Sequence, residues 1–292
     1  AEQRKKPRLA AHTDSGCKDW SPYTDDDALL RFLDTGLERM REHRRRTWFP
    51  TDETPLDPRV LAAACETVEG VQPPQESLHG SELYALARES VLIFGSEYRC
   101  PNCGGWHSNQ ASGFVVSKSG LAVTNCHVVE HAEEQALGAI NALGRFFPVS
   151  AVLAANRIDD VAIVQLEGDG FTPLPLSLDD PVGAPVVVVS HPRGHCYMMT
   201  RGILARRFVS KNHGKRTPRI AVTADYARGS SGATVLNRRG AAIGIVCTTE
   251  SVYVGGGKQK RGKLQMVIKA CVPASSILDL LDQRTEAPED AA

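Results

Sequence analysis

"GFVVSKSGLAVTNCHVV", residues Gly113–Val129, holds two short apolar runs separated by the polar turn Ser117–Gly120, and the second run carries a histidine, His127. Runs of this length, bounded by glycine and serine, read as β-strands. A short turn at the end of such a strand can project His127 into a cleft. The same pattern extends in both directions. "SVLIF" (Ser90–Phe94) precedes it. "VSAVLAA" (Val149–Ala155), "DVAIVQLEG" (Asp160–Gly168), "PVVVVS" (Pro185–Ser190), "GILARRFVS" (Gly202–Ser210), "RIAVTA" (Arg219–Ala224), "ATVLN" (Ala233–Asn237), "AAIGIV" (Ala241–Val246) and "LQMVIKACVP" (Leu264–Pro273) follow. About ten short strands broken by Gly, Pro, Asn and Asp predict an all-β barrel or sandwich over residues 81–283. "ASSILDLL" (Ala274–Leu281) has the spacing of a short closing helix, and residues 284–292 form a polar, flexible tail.

Residues 1–80 differ. "DDDALLRFLDTGLERM" (Asp25–Met40) places Leu29, Leu30, Phe32, Leu33, Leu37 and Met40 near helical spacing behind an acidic start. "DPRVLAAACETVEG" (Asp57–Gly70) predicts a second, shorter helix with proline near its beginning and glycine after its end. A helical hairpin or pro-like extension fits, which Cys17 and Cys65 could staple, with "VQPPQESLHG" (Val71–Gly80) as linker.

Across 292 residues, 34 Lys+Arg balance 34 Asp+Glu, which argues against nucleic acid as a partner. The one basic cluster, Arg41–Arg46, reads as a solvated helix end. No apolar run is long enough to cross a bilayer. Eight cysteines, an even number, permit disulfides and a secreted or periplasmic location.

"TADYARGSSGATV" (Thr223–Val235) sets two serines between Gly229 and Gly232 just before a strand. Gly–X–Ser–Gly alone also describes an ordinary turn. Activating a serine requires a base, and the base requires an acid that fixes its tautomer. His127, Asp160 and Ser231 supply these types in the order His, Asp, Ser, all at strand edges. Asp159 competes for the acid role, but Asp160 directly precedes the apolar strand. Ser230 competes for the nucleophile, but only Ser231 has glycine two places before it and directly after.

In these pieces the sequence resembles the trypsin-like serine proteases, specifically the bacterial HtrA/Deg-like branch. The resemblance rests on Gly113–Val129, on Arg145–Gly168 with its acid before the strand, on Leu174–Gly194, on Arg201–Arg207 and on Gly229–Val246. It implies two packed antiparallel six-stranded β-barrels with the active site between them. His127 and Asp160 would come from the first barrel and Ser231 from the second. The chain would be a serine endopeptidase acting on polypeptides through an acyl-enzyme, with no required cofactor. The amides of Gly229 and Ser231 would form the oxyanion hole, worth about 3–4 kcal/mol per donor. The alternative is a catalytically silent trypsin-like fold that binds peptides or partners. Relatives commonly add a PDZ domain; too few residues follow the closing helix for one to be expected here. Oligomeric state is not legible.

Three departures carry expectations. Ser230 replaces the aspartate that switches on digestive zymogens, so activation by amine insertion is not expected. Ala233 replaces the second glycine of the usual motif, which would strain a backbone needing positive φ. Asp225, six residues before Ser231, stands where trypsin carries its cation-binding carboxylate, which would give a preference for Arg or Lys; capping a turn is the alternative.

"RCPNCGGWH" (Arg99–His107) places Cys100 and Cys103 in a tight CxxC turn followed by His107. A disulfide and a structural zinc are the two main readings, the zinc needing His107 and one further ligand. Cys247 and Cys271 could pair between neighbouring final strands.

Overall fold

The computed structural model describes residues 24–43, 47–50, 58–100, 102–130, 136–254 and 262–282. Its centre is a pair of closed antiparallel barrels. The first is built from β1 (Val91–Arg99), β2 (Trp106–Val115), β3 (Leu121–Thr124), β4 (Leu137–Ile140), β5 (Phe146–Asn156) and β6 (Val161–Leu166), in the order β1-β2-β3-β6-β5-β4. The second is built from β7 (Pro185–Ser190), β8 (Met198–Asn212), β9 (Lys215–Val222), β10 (Thr234–Leu236), β11 (Ala242–Val254) and β12 (Lys263–Pro273), in the order β10-β11-β12-β9-β8-β7. Closure comes from β1 pairing β4 and from β10 pairing β7, which removes the open edges.

Continuous apolar runs arise because both faces of these strands are buried. Leu92 and Phe94 fill the first barrel, while their neighbours Val91 and Ile93 point into a layer between the barrels and the helices. Val186 and Val188 fill the second barrel, and Val187 and Val189 join the same outer layer. Successive side chains alternate across a strand, so a run buried on both sides shows no period of two.

Helix α1 (Asp26–Glu42) begins where Asp25 Oδ1 accepts the Ala28 amide at 2.9 Å, with acidic residues in its first turn and Arg39 and Arg41 in its last. That charge order complements the helix dipole. It buries Leu29, Leu33, Leu37 and Met40 against β1, β4 and β5. Helix α2 (Pro58–Glu69) starts on its proline and packs on the closing helix α5 (Ala274–Asp282). The two N-terminal helices therefore dock on different parts of the barrel unit and do not form the hairpin that is one of the two readings of this segment. Cys17 and the side chain of Cys65 lie outside the described residues.

Between them and β1 the structure adds α3 (Gly80–Ser90), where the sequence reading placed the end of a linker and the first β-type residues. Glu82, Leu83, Ala85, Leu86 and Ala87 are good helix formers. Glu82 Oε2 accepts the His79 amide at 2.6 Å, and Leu83 and Ala87 are buried one turn apart. Among the described residues no helix is long and apolar enough to cross a membrane.

Candidate active site

The first barrel brings His127 and Asp160 together. Leu121–Thr124 ends in Asn125, after which the short helix α4 (Cys126–Val129) turns His127 outward. Asp160 precedes β6 with φ 61°, a left-handed conformation that aspartate tolerates better than most residues. Asn125 Nδ2 donates to the Asp160 carbonyl at 2.8 Å, and the His127 amide donates to Asp160 Oδ1 at 3.0 Å. His127 Nδ1 lies 3.0 and 2.9 Å from the two carboxylate oxygens. With Nδ1 as the donor, Nε2 is left as an acceptor facing outward. Asp159, the rival acid, turns elsewhere: it accepts from Thr217 Oγ1 and, at 3.4 Å, from Asn156 Nδ2.

Electrostatics follow from this contact. The hydrogen bond to Asp160 raises the His127 pKa above its ordinary value; partial burial opposes it, and the carboxylate charge adds to the rise. Burial alone would raise the Asp160 carboxyl. Donors from the His127 ring and amide and from the Cys247 thiol, with the imidazolium charge, outweigh that and hold it below its usual range. Cys126, beside the histidine, is buried, and burial with the charges of Glu130 and Asp160 pushes its thiol up to about 12. It stays protonated and is a poor nucleophile.

The second barrel contributes the turn Ala227–Gly232. Ser230 is fully buried and spends its hydroxyl on Ser190 Oγ at 3.0 Å and on the Ala227 amide at 3.4 Å. Ser231 lines an open cleft of about 210 Å³ together with His127, Val128, Gly229, Arg228, Ser96, Asn109 and Gln110. That volume is below what engulfs a drug-sized molecule and suits a groove along which an extended chain lies.

Gly229 has φ 95°, and a Cβ there would stand 2.6 Å from the His191 carbonyl oxygen. No other residue fits without displacing backbone. The Arg228 carbonyl accepts the Arg193 amide at 2.8 Å. Because the peptide unit is planar and trans, the Gly229 N–H points to the opposite side. Gly232 (φ 83°) is pressed by the Ser112 carbonyl and Thr124 of the first barrel. Ala233 is not in a positive-φ conformation and is fully buried, so the expected strain at this departure is absent.

Sequence reasoning missed three supports, none with a local signal. Ser112, on β2, donates its hydroxyl to the Gly229 carbonyl at 2.9 Å and its amide to the Ser231 carbonyl at 2.8 Å. Arg193 holds the Arg228 carbonyl. Cys247 donates its thiol to Asp160 Oδ2 at 3.2 Å and does not bridge to Cys271; both are free thiols.

Asp225 does not meet the expectation of a buried carboxylate at the floor of a slot. Its side chain is 83% exposed, pairs with Lys269 Nζ at 2.7 Å, and lies outside the residues that line the cleft. Cys100, Cys103 and His107 do converge, at the far end of the β1–β2 hairpin.

Two closed antiparallel barrels with a histidine–carboxylate pair on one and a Gly–Ser–Ser–Gly turn on the other define a trypsin-like fold. Residues 111–245 match the trypsin-like peptidase domain family, and the fold of the chain is that of a trypsin-like protease. It is 28% identical over 174 residues to a probable periplasmic serine endoprotease DegP-like of Hahella chejuensis, covering 59% of this chain and 34% of the relative. It is 31% identical to the putative serine protease HhoA of Synechocystis, covering 52% and 40%. A DegP-like relative of Halomonas elongata is 29% identical, with 77% and 46% covered. The chain thus spans less than half the length of these relatives. Among solved structures, the HtrA-type protease AlgW with decapeptide aligns with a TM-score of 0.56 at 16% identity, over 72% of this chain and 68% of that one, a likeness of fold.

Proposed function

We propose that the chain is a serine endopeptidase that hydrolyses peptide bonds in polypeptides, working without a cofactor in the chemical step. Ser231 is the nucleophile, His127 the general base and then acid, and Asp160 the residue that orients and charges the imidazole. His127 Nε2 takes the hydroxyl proton as Ser231 Oγ bonds to the scissile carbonyl carbon. It returns that proton to the amine as the peptide bond breaks, and a water repeats the sequence to release the acyl group. The Gly229 and Ser231 amides receive the oxyanion.

The observation that supports this best is the paired contact of His127 Nδ1 with both Asp160 oxygens, on the rim of the cleft that Ser231 and Gly229 also line. No Arg or Lys preference is proposed, since Asp225 is solvated and paired. The relatives described as periplasmic support a periplasmic or secreted setting. A fluorophosphonate probe tests the chemistry: it labels wild type and fails on Ser231→Ala, with casein hydrolysis lost in parallel. A well-folded wild type that resists the probe and cleaves nothing leaves a peptide-binding module in its place.

A further inference from the structure

The turn at the far end of the β1–β2 hairpin gathers one imidazole and two thiols that the peptidase reading does not use. One ligand atom from each of Cys100, Cys103 and His107 lies within 4.8 Å of the others. Cys103 Sγ and His107 Nε2 are 3.1 Å apart. The backbone is shaped for this approach. The Cys100 amide donates to the Gly105 carbonyl at 2.8 Å, the Gly104 amide donates to the Cys100 carbonyl at 2.9 Å, and the Gly105 amide donates to Cys103 Sγ at 3.4 Å. The Tyr98 ring, opposite His107 in the ladder, stacks on the imidazole with centroids 5.9 Å apart.

A tetrahedral zinc site with Zn–S of about 2.3 Å and Zn–N of about 2.0 Å sets its ligand atoms roughly 3.5–3.8 Å apart. The Cys103–His107 pair has to open slightly and the other pairs, all within 4.8 Å, need only a small adjustment to reach that spacing. A disulfide between Cys100 and Cys103 would use the thiols but leave His107 Nε2 aimed at sulfur without purpose. Two thiolates and one imidazole select a borderline-soft cation over calcium or magnesium.

We infer that Cys100, Cys103 and His107 bind one zinc ion, with water completing the tetrahedron because the turn lies at the surface. The site is structural. It clamps the hairpin end at Cys100 and at His107, and β2 runs from there into the cleft. His107 is two residues from Asn109, about 7 Å of strand. Helix α1 grips the same end, through the Arg41 guanidinium 4.9 Å over the Trp106 ring and its 2.8 Å ion pair with Glu97. Metal binding itself does not depend on the peptidase reading.

The test uses the whole chain, reduced and stripped of metal. Added cobalt(II) gives thiolate-to-metal charge-transfer and tetrahedral visible bands that saturate at one equivalent, and zinc displaces it. The Cys103→Ser/His107→Ala double variant binds zinc more weakly by over about 100-fold in competition with a chromogenic chelator. Should that variant fold poorly, zinc protection of Cys100 and Cys103 from alkylation in wild type reads the same site. A reduced wild type with no cobalt–thiolate band, or a folded double variant that retains uptake, overturns the assignment.

Discussion

The Cys247 thiol, on β11 of the second barrel, donates to Asp160 Oδ2 of the first at 3.2 Å, so the carboxylate that holds His127 is itself held from across the interface. Cys247→Ser keeps a donor at this place and is expected to preserve kcat/KM. Cys247→Ala removes it and is expected to lower kcat/KM about 5–10-fold, the equivalent of about 1–1.5 kcal/mol for one hydrogen bond. Rescue by serine and not alanine, in steady-state kinetics, separates orientation of the acid from packing.

In the proposed mechanism His127 must be neutral to accept the Ser231 proton. Its pKa is raised by Asp160, so kcat/KM is expected to climb with pH through a midpoint above the ordinary value of 6.5. Asp160→Asn removes the bond and the charge that raise it. The midpoint then falls, and the rate drops by about 10⁴-fold because the wrong tautomer is presented. A pH–rate profile of both proteins reads the two effects separately.

Ser112 fixes the turn that carries Ser231, the proposed nucleophile. Ser112→Ala leaves the Gly229 carbonyl without its side-chain donor, while the backbone bond to Ser231 survives. The expected result is a kcat loss of roughly 10-fold or more with KM little changed, consistent with about 1–3 kcal/mol for an unsatisfied buried group. An equal rise in KM would place the residue in substrate binding instead.

His191 predicts how stability responds to acid. It is fully buried against Tyr197, whose amide donates to Nδ1 at 3.0 Å, and burial lowers its pKa to about 3; a backbone contact with Leu92 acts weakly the other way. Below about pH 6.5 the unfolded chain takes up this proton and the folded one does not. Stability therefore falls by about 1.4 kcal/mol per pH unit on this account. His127, whose folded pKa is raised, makes its contribution in full below 6.5 and leaves that slope unchanged. Urea midpoints at about pH 6.5 and pH 5 should show the fall in wild type and a smaller one in His191→Asn.

Asp225→Ser is expected to leave selectivity among Arg, Lys and Leu substrates within about twofold. An exposed ion pair such as that with Lys269 is worth about 0–1 kcal/mol. A loss of basic-substrate preference in the variant would contradict the position of this side chain.

What the sequence disclosed was whatever is encoded by a run of neighbours. "PVVVVS" reads as a strand, and the acidic run at Asp25–Asp27 with the leucines behind it as the start of a helix. Ser231 was separable from Ser230 by the glycines around it; the structure buries Ser230 and bonds it to Ser190. Helix α3 was hidden because its residues adjoin β1 without a break, and β4 because "LGAI" is too short to show a period. Cys247, Ser112 and Arg193 were beyond reach for a different reason. Each acts on a residue dozens of positions away, Arg193 through a contact formed as the second barrel closes, Cys247 and Ser112 through contacts formed where the two barrels meet. Asp225 shows the converse: position relative to a motif does not fix which way a side chain faces, and Lys269, far along the chain, decides it.

The first barrel's backbone lies against Gly232 so tightly that even a methyl group would be excluded. Ser231, the proposed nucleophile, therefore sits on a seam, its scaffold completed by a surface that the second half of the molecule does not own. Severing the chain between the halves would yield two fragments unable to do chemistry alone, and reassociation would have to restore the seam before any substrate could be turned over.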